Sequence, residues 1–300
     1  MINFKIILLS IVLEAFPFML LSVIVSALIN NFITEKAIHK VLPKNRFFSI
    51  IIASLLGFIF PTCDCGIIPI VRRLLMKGIP LHTAIAFMLA APIMNPVAAT
   101  ATLYAFRMNI NMVFFRLGTA VFIACLVGII IDFFFSRNEL KFGNTQHHTC
   151  SCCSHMTDDD SIHHHSSGDK IINTIRDASN EFFEMGKYLL WGAMLGSLSQ
   201  VILTREILLS VGQNSILSIG VMMVFAFFIS VCSAADAFIA ASFSSSFSLG
   251  SLVAFMVFGP MIDVKNLLML LHTFKLRFVF WLTFIVVTLC ACSAYMINHI

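Results

Sequence analysis

Two thiols flank a carboxylate at Cys63-Asp64-Cys65, with Pro61 before them and Gly66 after, inside an otherwise apolar stretch. Proline has no backbone N–H and glycine tolerates unusual dihedrals, so a helix opens at such a place. Opened backbone at membrane depth is tolerated only where protein or water covers it. An acid held there, Asp64, marks a cavity and is a functional-site candidate by default. Soft thiolates beside it suit a thiophilic substrate such as a d10 metal ion or trivalent arsenic. Packing alone is the competing reading for the two cysteines, because free Cys is among the most buried residue types.

A second cluster lies in the one long hydrophilic stretch, residues 136–179. It holds His147, His148, Cys150, Cys152, Cys153, His155, His163, His164 and His165. Imidazole and thiolate together suit zinc and Cu(I), and short Cys/His tracts read as metal binding on composition. The spacing fits no structural zinc finger. The expectation is a flexible chelating loop that takes zinc or copper, against the plainer reading of a solvated linker. Free thiols favour a reducing, cytosolic side for it.

The elements that position these groups repeat. The run from Ala86 to Asn95 reads against Ala254 to Asp263 at an offset of 168, with four of ten positions identical. Each copy carries a proline in an apolar run and a polar residue three places later, Asn95 or Asp263. Upstream of each, an apolar segment is interrupted by small and polar residues, 61–66 in one half and 232–236, with Asp236, in the other. Duplicated units with broken helices at matching places are the pattern of a transporter. Glu14, in the first apolar run three residues before Pro17, is a candidate ion or proton relay. The candidate substrate pathway is therefore Glu14, Cys63, Asp64, Cys65, Asn95, Asp236 and Asp263.

Composition agrees. Fifty-nine per cent of residues are apolar, 11% are charged and mean hydropathy is +0.95, where a soluble domain carries about 25% charge. The net charge of +4 is spread over short connections and does not suggest nucleic-acid binding. Apolar runs at 6–29, 48–75, 81–106, 111–131, 188–203, 216–247, 249–274 and 278–296 predict an all-α polytopic membrane protein. It has about eight transmembrane helices, at about 20 residues per crossing, in two repeated halves with interrupted helices. The first run is too long for a signal-peptide core and is kept as a span. The halves are 1–135 and 180–300, joined by 136–179. Whether they run parallel or inverted depends on whether the interrupted segments cross or fold back. On the eight-span path nine Lys and Arg fall on each side, so the charge rule gives no orientation.

The stretch Pro61 to Ile70, followed by Arg72-Arg73, Lys77-Gly78, Phe87, Ala91-Pro92 and Asn95-Pro96, resembles the bacterial predicted-permease family of the YraQ/YcgR type. That family includes the ArsP organoarsenical efflux permeases. Asp236 to Ala240 and Phe258 to Asn266 are similar to its C-terminal motif. The resemblance covers nearly the whole chain. It implies a multi-pass permease of the bacterial cell membrane, with exported trivalent methylated arsenicals as the best-known substrate. Related permeases with Cys/His-rich central loops point to Cu/Zn efflux.

The functional expectation is a permease that exports a soft metal ion or metalloid compound. The alternative is a membrane metal sensor or assembly factor that uses the Cys/His loop. An enzyme is not expected: no His-Glu-x-x-His helix, nucleophile elbow or Walker loop occurs. Expected partners are the lipid bilayer and a small ionic or metalloid substrate, with a second copy of the chain or an accessory subunit as candidates. No cofactor is required beyond the zinc or copper of the loop.

Overall fold

The computed structural model describes residues 2–32, 45–58, 64–135, 167–202 and 215–299. The first half folds into α1 (Ile2–Phe32), α2 (Arg46–Leu56), α3 (Asp64–Met76), α4 (Leu81–Met94), α5 (Pro96–Ala105) and α6 (Ile110–Phe134). The second half gives α7 (Ser167–Ile202), α8 (Ser215–Ile229), α9 (Ser233–Ser242), α10 (Leu249–Met261), α11 (Val264–Thr273) and α12 (Leu276–His299). Adding 168 to any helix of the first half lands on its counterpart to within a few residues. The repeat legible in ten residues thus extends to every element.

Lipid tails are as apolar as leucine, so helices in a bilayer associate through close packing of small residues and buried polar contacts. The central helices show both. Every residue of α4 is buried, and so is Gly250–Met261 of α10. Ser49 on α2 meets Thr83 on α4 at 3.0 Å, and Ser218 on α8 meets Ser251 on α10 at 3.1 Å. Each such contact is worth roughly 0.6–2 kcal/mol. Further along the first pair, a Cβ on Gly57 would collide with the Ala91 backbone. In the second pair, a Cβ on Gly259 would lie 3.6 Å from Ala226.

These contacts fix direction. Ser49 lies beside Thr83 and Gly57 beside Ala91, so α2 and α4 run parallel. Ser218 beside Ser251 and Ala226 beside Gly259 make α8 and α10 parallel as well. The chain must therefore turn back between them. The arms α2 and α3 run antiparallel as a hairpin, with the end of α2 level with Ala91 near the end of α4, and α8 and α9 do the same in the other half.

The count of eight spans is not confirmed. Among the described residues four spans are long and apolar enough to cross a bilayer, and α4 with α5, bent by 41° at Asn95, makes a fifth. Counting α7, the counterpart of α1, as a sixth gives three crossings in each half. The hairpin arms α2 and α3, of 11 and 13 residues, are too short to cross alone. Three crossings is an odd number, so the halves are inverted. Packing across the molecule agrees: α3 rests on α11 at one end, and α5 rests on α9 at the other.

On this path the charge tie disappears. Arg46 and His82 both reach Asp132 near the end of α6, at 3.0 and 2.9 Å, which gathers the starts of α2 and α4 and the end of α6 at one face. Glu184 on α7 meets Arg72 on α3 and His272 on α11 at that same face. Among the described residues, Arg46, Arg72, Arg73, Lys77, Arg176, Lys187, Lys275 and Arg277 belong to that face. Lys5 and Arg107 belong to the opposite face, while Arg116 and Lys265 are buried. The positive-inside rule puts the rich face in the cytoplasm. A reporter active only outside the cytoplasm should work when fused after His299 and fail when inserted between residues 136 and 166. The reverse pattern would overturn the inverted topology.

Candidate functional site

The starts of α3 and α9 and the break before α11 come together. Asp64 opens α3, and Asp236 lies in the first turn of α9. Both acids are 1% exposed. An acid near a helix N-terminus is favoured by the positive end of the dipole, which accounts locally for both positions. Between the tips stands Arg116, on α6 and also 1% exposed. One guanidinium nitrogen donates to the Thr102 hydroxyl at 2.8 Å and another to the Ser233 carbonyl at 2.6 Å. Its electrostatic partners are Asp236, Asp64 and Cys232. The guanidinium thus ties α5, α6 and the start of α9 together and faces the acids of both hairpins.

Asn95 and Asp263 have a structural task that equivalence alone did not reveal. The Asn95 side chain accepts from Val97 N–H at 2.9 Å, and Asp263 accepts from Asn266 N–H at 2.6 Å. Each caps the half-helix that begins after the break. A cap at an interior terminus satisfies backbone donors that water would otherwise meet. Asp263 does more: its second oxygen lies 3.6 Å from Lys265 Nζ. Two residues apart within a helix these groups would point to different faces, so a direct pair is not expected from spacing. The pair forms because Asp263 is the extended residue before α11 and not part of it.

Glu14 and Cys232 come together from elements far apart in the chain. The Cys232 thiol donates to the Glu14 carboxylate at 2.6 Å. Cys232 is the counterpart of Asp64 under the 168 offset, so a thiol occupies in one half the place a carboxylate has in the other. Cys63 and the Cys65 side chain lie outside the described residues, although both adjoin Asp64 in the chain. The metal candidates His147 to His165 also lie outside them. Among the described residues no group of three or more His, Cys, Asp and Glu is arranged to hold a metal ion. Of the candidate pathway residues, the structure brings Asp64, Asp236 and Asp263 into one buried charge cluster with Arg116 and Lys265, and sets Glu14 within electrostatic reach of Asp236.

Arg116 is the residue that sequence reasoning passed over. Six residues after the start of α6 it reads as interfacial. Yet Asn109 caps this helix, and Arg107 and Met108 before it adopt left-handed dihedrals of φ 53° and 65°. That fixes the turn and leaves Arg116 nearly two turns inside. Its presence in an apolar run was the available signal.

Repeated halves with broken helices and buried polar groups are the pattern of a membrane permease. The comparisons give the family. Residues 1–299 match the ArsP_1 family, described as predicted permease. The chain is 47% identical over 285 residues to the UPF0718 protein YcgR of Bacillus subtilis (strain 168), covering 95% of this chain and 93% of that one. It is 39% identical over 271 residues, 90% and 87% of the two chains, to a putative two-component membrane permease complex subunit of Streptococcus mutans serotype c. No solved structure matches significantly. The chain belongs to the ArsP_1 predicted permease family and is a multi-pass membrane protein.

Replacing Arg116 with Met keeps the apolar stem and removes the charge. It leaves the Ser233 carbonyl and the buried acids without their cation, a loss of about 3–5 kcal/mol by analogy with breaking a buried ion pair. A clearly lowered melting temperature of the purified protein is expected. An unchanged one would show that Arg116 does not hold the hairpin tips.

Proposed function

We propose that the protein exports a soft metal ion or metalloid compound across the bacterial plasma membrane, through a site at the two hairpin tips. The observation that carries this reading is the convergence of both tips on Arg116, because each tip carries thiols in its sequence. Cys63 and Cys65 adjoin Asp64 at one, and Cys232 begins the other. Thiols that adjoin the starts of both α3 and α9 in the sequence suit a thiophilic cargo. The Cys/His loop, on the cytoplasmic path, would then gather the same class of ion before export. The relative described as a complex subunit supports an accessory partner for this chain as well.

The mechanism follows from an asymmetry between the halves. In this structure α1 packs along α3, but α7 has no comparable packing on α9. Instead α7 packs on α11, while α1 has no comparable packing on α5. The pair α1 and α7 therefore leans on the cytoplasmic half-helices α3 and α11, not on α5 and α9. Inverted repeats can exchange roles. The exchanged state sets α1 on α5 and α7 on α9, which would move access from one face to the other.

Two experiments follow. Cys63→Ser and Cys65→Ser should each lower transport of methylarsenite, arsenite, zinc or copper by at least about tenfold, since a hydroxyl ligates such species poorly. Expression should be unaffected. Full transport by the double variant would reject the thiophilic cargo. The membrane-sensor alternative would instead leave accumulation of all four unchanged when the wild-type chain is expressed in a metal-sensitive host.

The exchange is tested at Gly192, where a Cβ would lie 2.8 Å from the Lys265 Cα. Gly192→Leu should force α7 off α11. A longer distance between spin labels on these helices is expected, together with reduced transport. An unchanged distance with intact transport would mean that this contact does not exchange.

A further inference from the structure

We propose that Asp236 binds one monovalent cation, a proton or Na⁺, that balances the buried charge cluster and couples transport to an ion gradient; this rests on the permease reading of the same site. Among the described residues five charged side chains are buried together, each no more than 3% exposed: Asp64, Asp236 and Asp263 against Arg116 and Lys265. With every group ionised the cluster carries one excess negative charge. Such a charge is costly away from water and is met by pairing or by taking up a cation. A divalent ion would overshoot to the opposite sign, whereas a single monovalent one closes the balance.

The hydrogen bonds show where the missing charge belongs. Lys265 is drawn to Asp263, whose other oxygen caps α11. The two guanidinium nitrogens of Arg116 that donate do so to Thr102 and to the Ser233 carbonyl, not to a carboxylate. Asp236 feels both bases electrostatically, but neither of the Arg116 hydrogen bonds goes to it. Its Oδ2 is fully buried without a hydrogen-bond partner among the described residues. This is the unpartnered buried group that the charge balance requires.

The surroundings of Asp236 offer acceptors where a donor would be needed. Asp236 Oδ2 lies 3.4 Å from where a Cβ of Gly259 would stand. Asn266 reaches the next residue, donating to the Pro260 carbonyl at 3.4 Å. Its Oδ1, like Asp263 Oδ2, is buried without a hydrogen-bond donor among the described residues. Pro260 lacks an N–H and so frees the carbonyl one turn earlier in α10. The C-terminal end of α10, with its negative dipole, closes on the same place. Carboxylate, carboxamide and carbonyl oxygens at a helix C-terminus are the ligand set of Na⁺ and of a shared proton. The charged groups acting on Asp236 are Arg116 from α6, Lys265 and Asp263 from the α11 break, and Glu14 from α1. Gly259 keeps the approach to the carboxylate open.

The test uses the full chain in nanodiscs without any metal cargo. Melting temperature is followed from about pH 5 to about pH 9, in sodium chloride and in choline chloride. If the ion is Na⁺, sodium should raise the wild-type melting temperature over choline by about 3 °C or more, an amount expected for roughly 1 kcal/mol of binding. If it is a proton, the two salts should agree and the melting temperature should fall as pH rises, because losing the proton restores the excess charge. Either dependence should vanish in Asp236→Asn and persist in Asp132→Asn, which removes an acid at the cytoplasmic face. The same dependence in Asp236→Asn as in wild type overturns the proposal, as does a wild-type chain indifferent to both. Should Asp236→Asn fail to fold, the wild-type chain decides by stoichiometry. Uptake of one radioactive Na⁺ or one proton per chain supports the site, and uptake of neither rejects it. A protein that transports yet binds neither ion rejects the site alone. A protein that binds one ion but moves no thiophilic cargo rejects only the cargo.

Discussion

A helix that stops halfway across a bilayer leaves backbone groups that lipid cannot satisfy. This chain stops helices at mid-depth in four places, and the rest of the structure answers that constraint. After the breaks in the two bent spans, Asn95 and Asp263 cap α5 and α11 from their own side chains. At the second hairpin, Arg116 donates to the Ser233 carbonyl from another helix. At the first, Gly57 brings the end of α2 against Ala91 with no room for a side chain. The polar groups that make these breaks tolerable are also the groups that face one another at the centre. Stability and function therefore draw on the same residues, and a substitution at Arg116 or Asp263 acts on both.

The sequence carried the repeat and the breaks plainly, and the physical reason is that both are local. Pro61, Gly66, Pro92 and Pro260 mark interruptions through backbone chemistry alone, and an offset of 168 survives in the residues that must pack most tightly, those of α4 and α10. The direction of the short arms was not legible. An apolar run of eleven residues such as α2 has the same composition whether it crosses onward or folds back. The Pro61 to Gly66 interruption reads the same in either case. Only the neighbours of Gly57 and Ser49 decide it, and these lie some thirty residues away in sequence. The even charge split followed from that one missing fact, because folding back both hairpins moves Arg72, Arg73 and Lys77 to the face that already holds Arg46.

The sequence singled out acids that the structure buries together, but not what each of them touches. Asp64, Asp236 and Asp263 are all at the centre. Asn95 and Asp263 are helix caps first, which a polar residue directly before a proline or an apolar helix already suggests. The pairing of Asp263 with Lys265 was hidden because spacing rules for helices do not apply across a cap. Arg116 was hidden because its depth depends on where α6 begins, and two left-handed residues and the Asn109 cap set that point.

Backbone and chemistry follow different symmetries in this molecule. Helix for helix the halves correspond, yet at the centre Asp64 is matched by Cys232, Arg116 by Phe284, Lys265 by Val97 and Glu14 by Phe182. A symmetric scaffold supplies two interchangeable arrangements of similar energy, which exchange of access requires. An asymmetric set of charges gives the centre a single site instead of two half-sites related by the repeat. The counterparts Phe284 and Val97 are both 56% exposed, so the repeat places no second buried cation opposite Arg116. The divergence between the halves thus leaves Asp64 and Asp236 to share a single guanidinium.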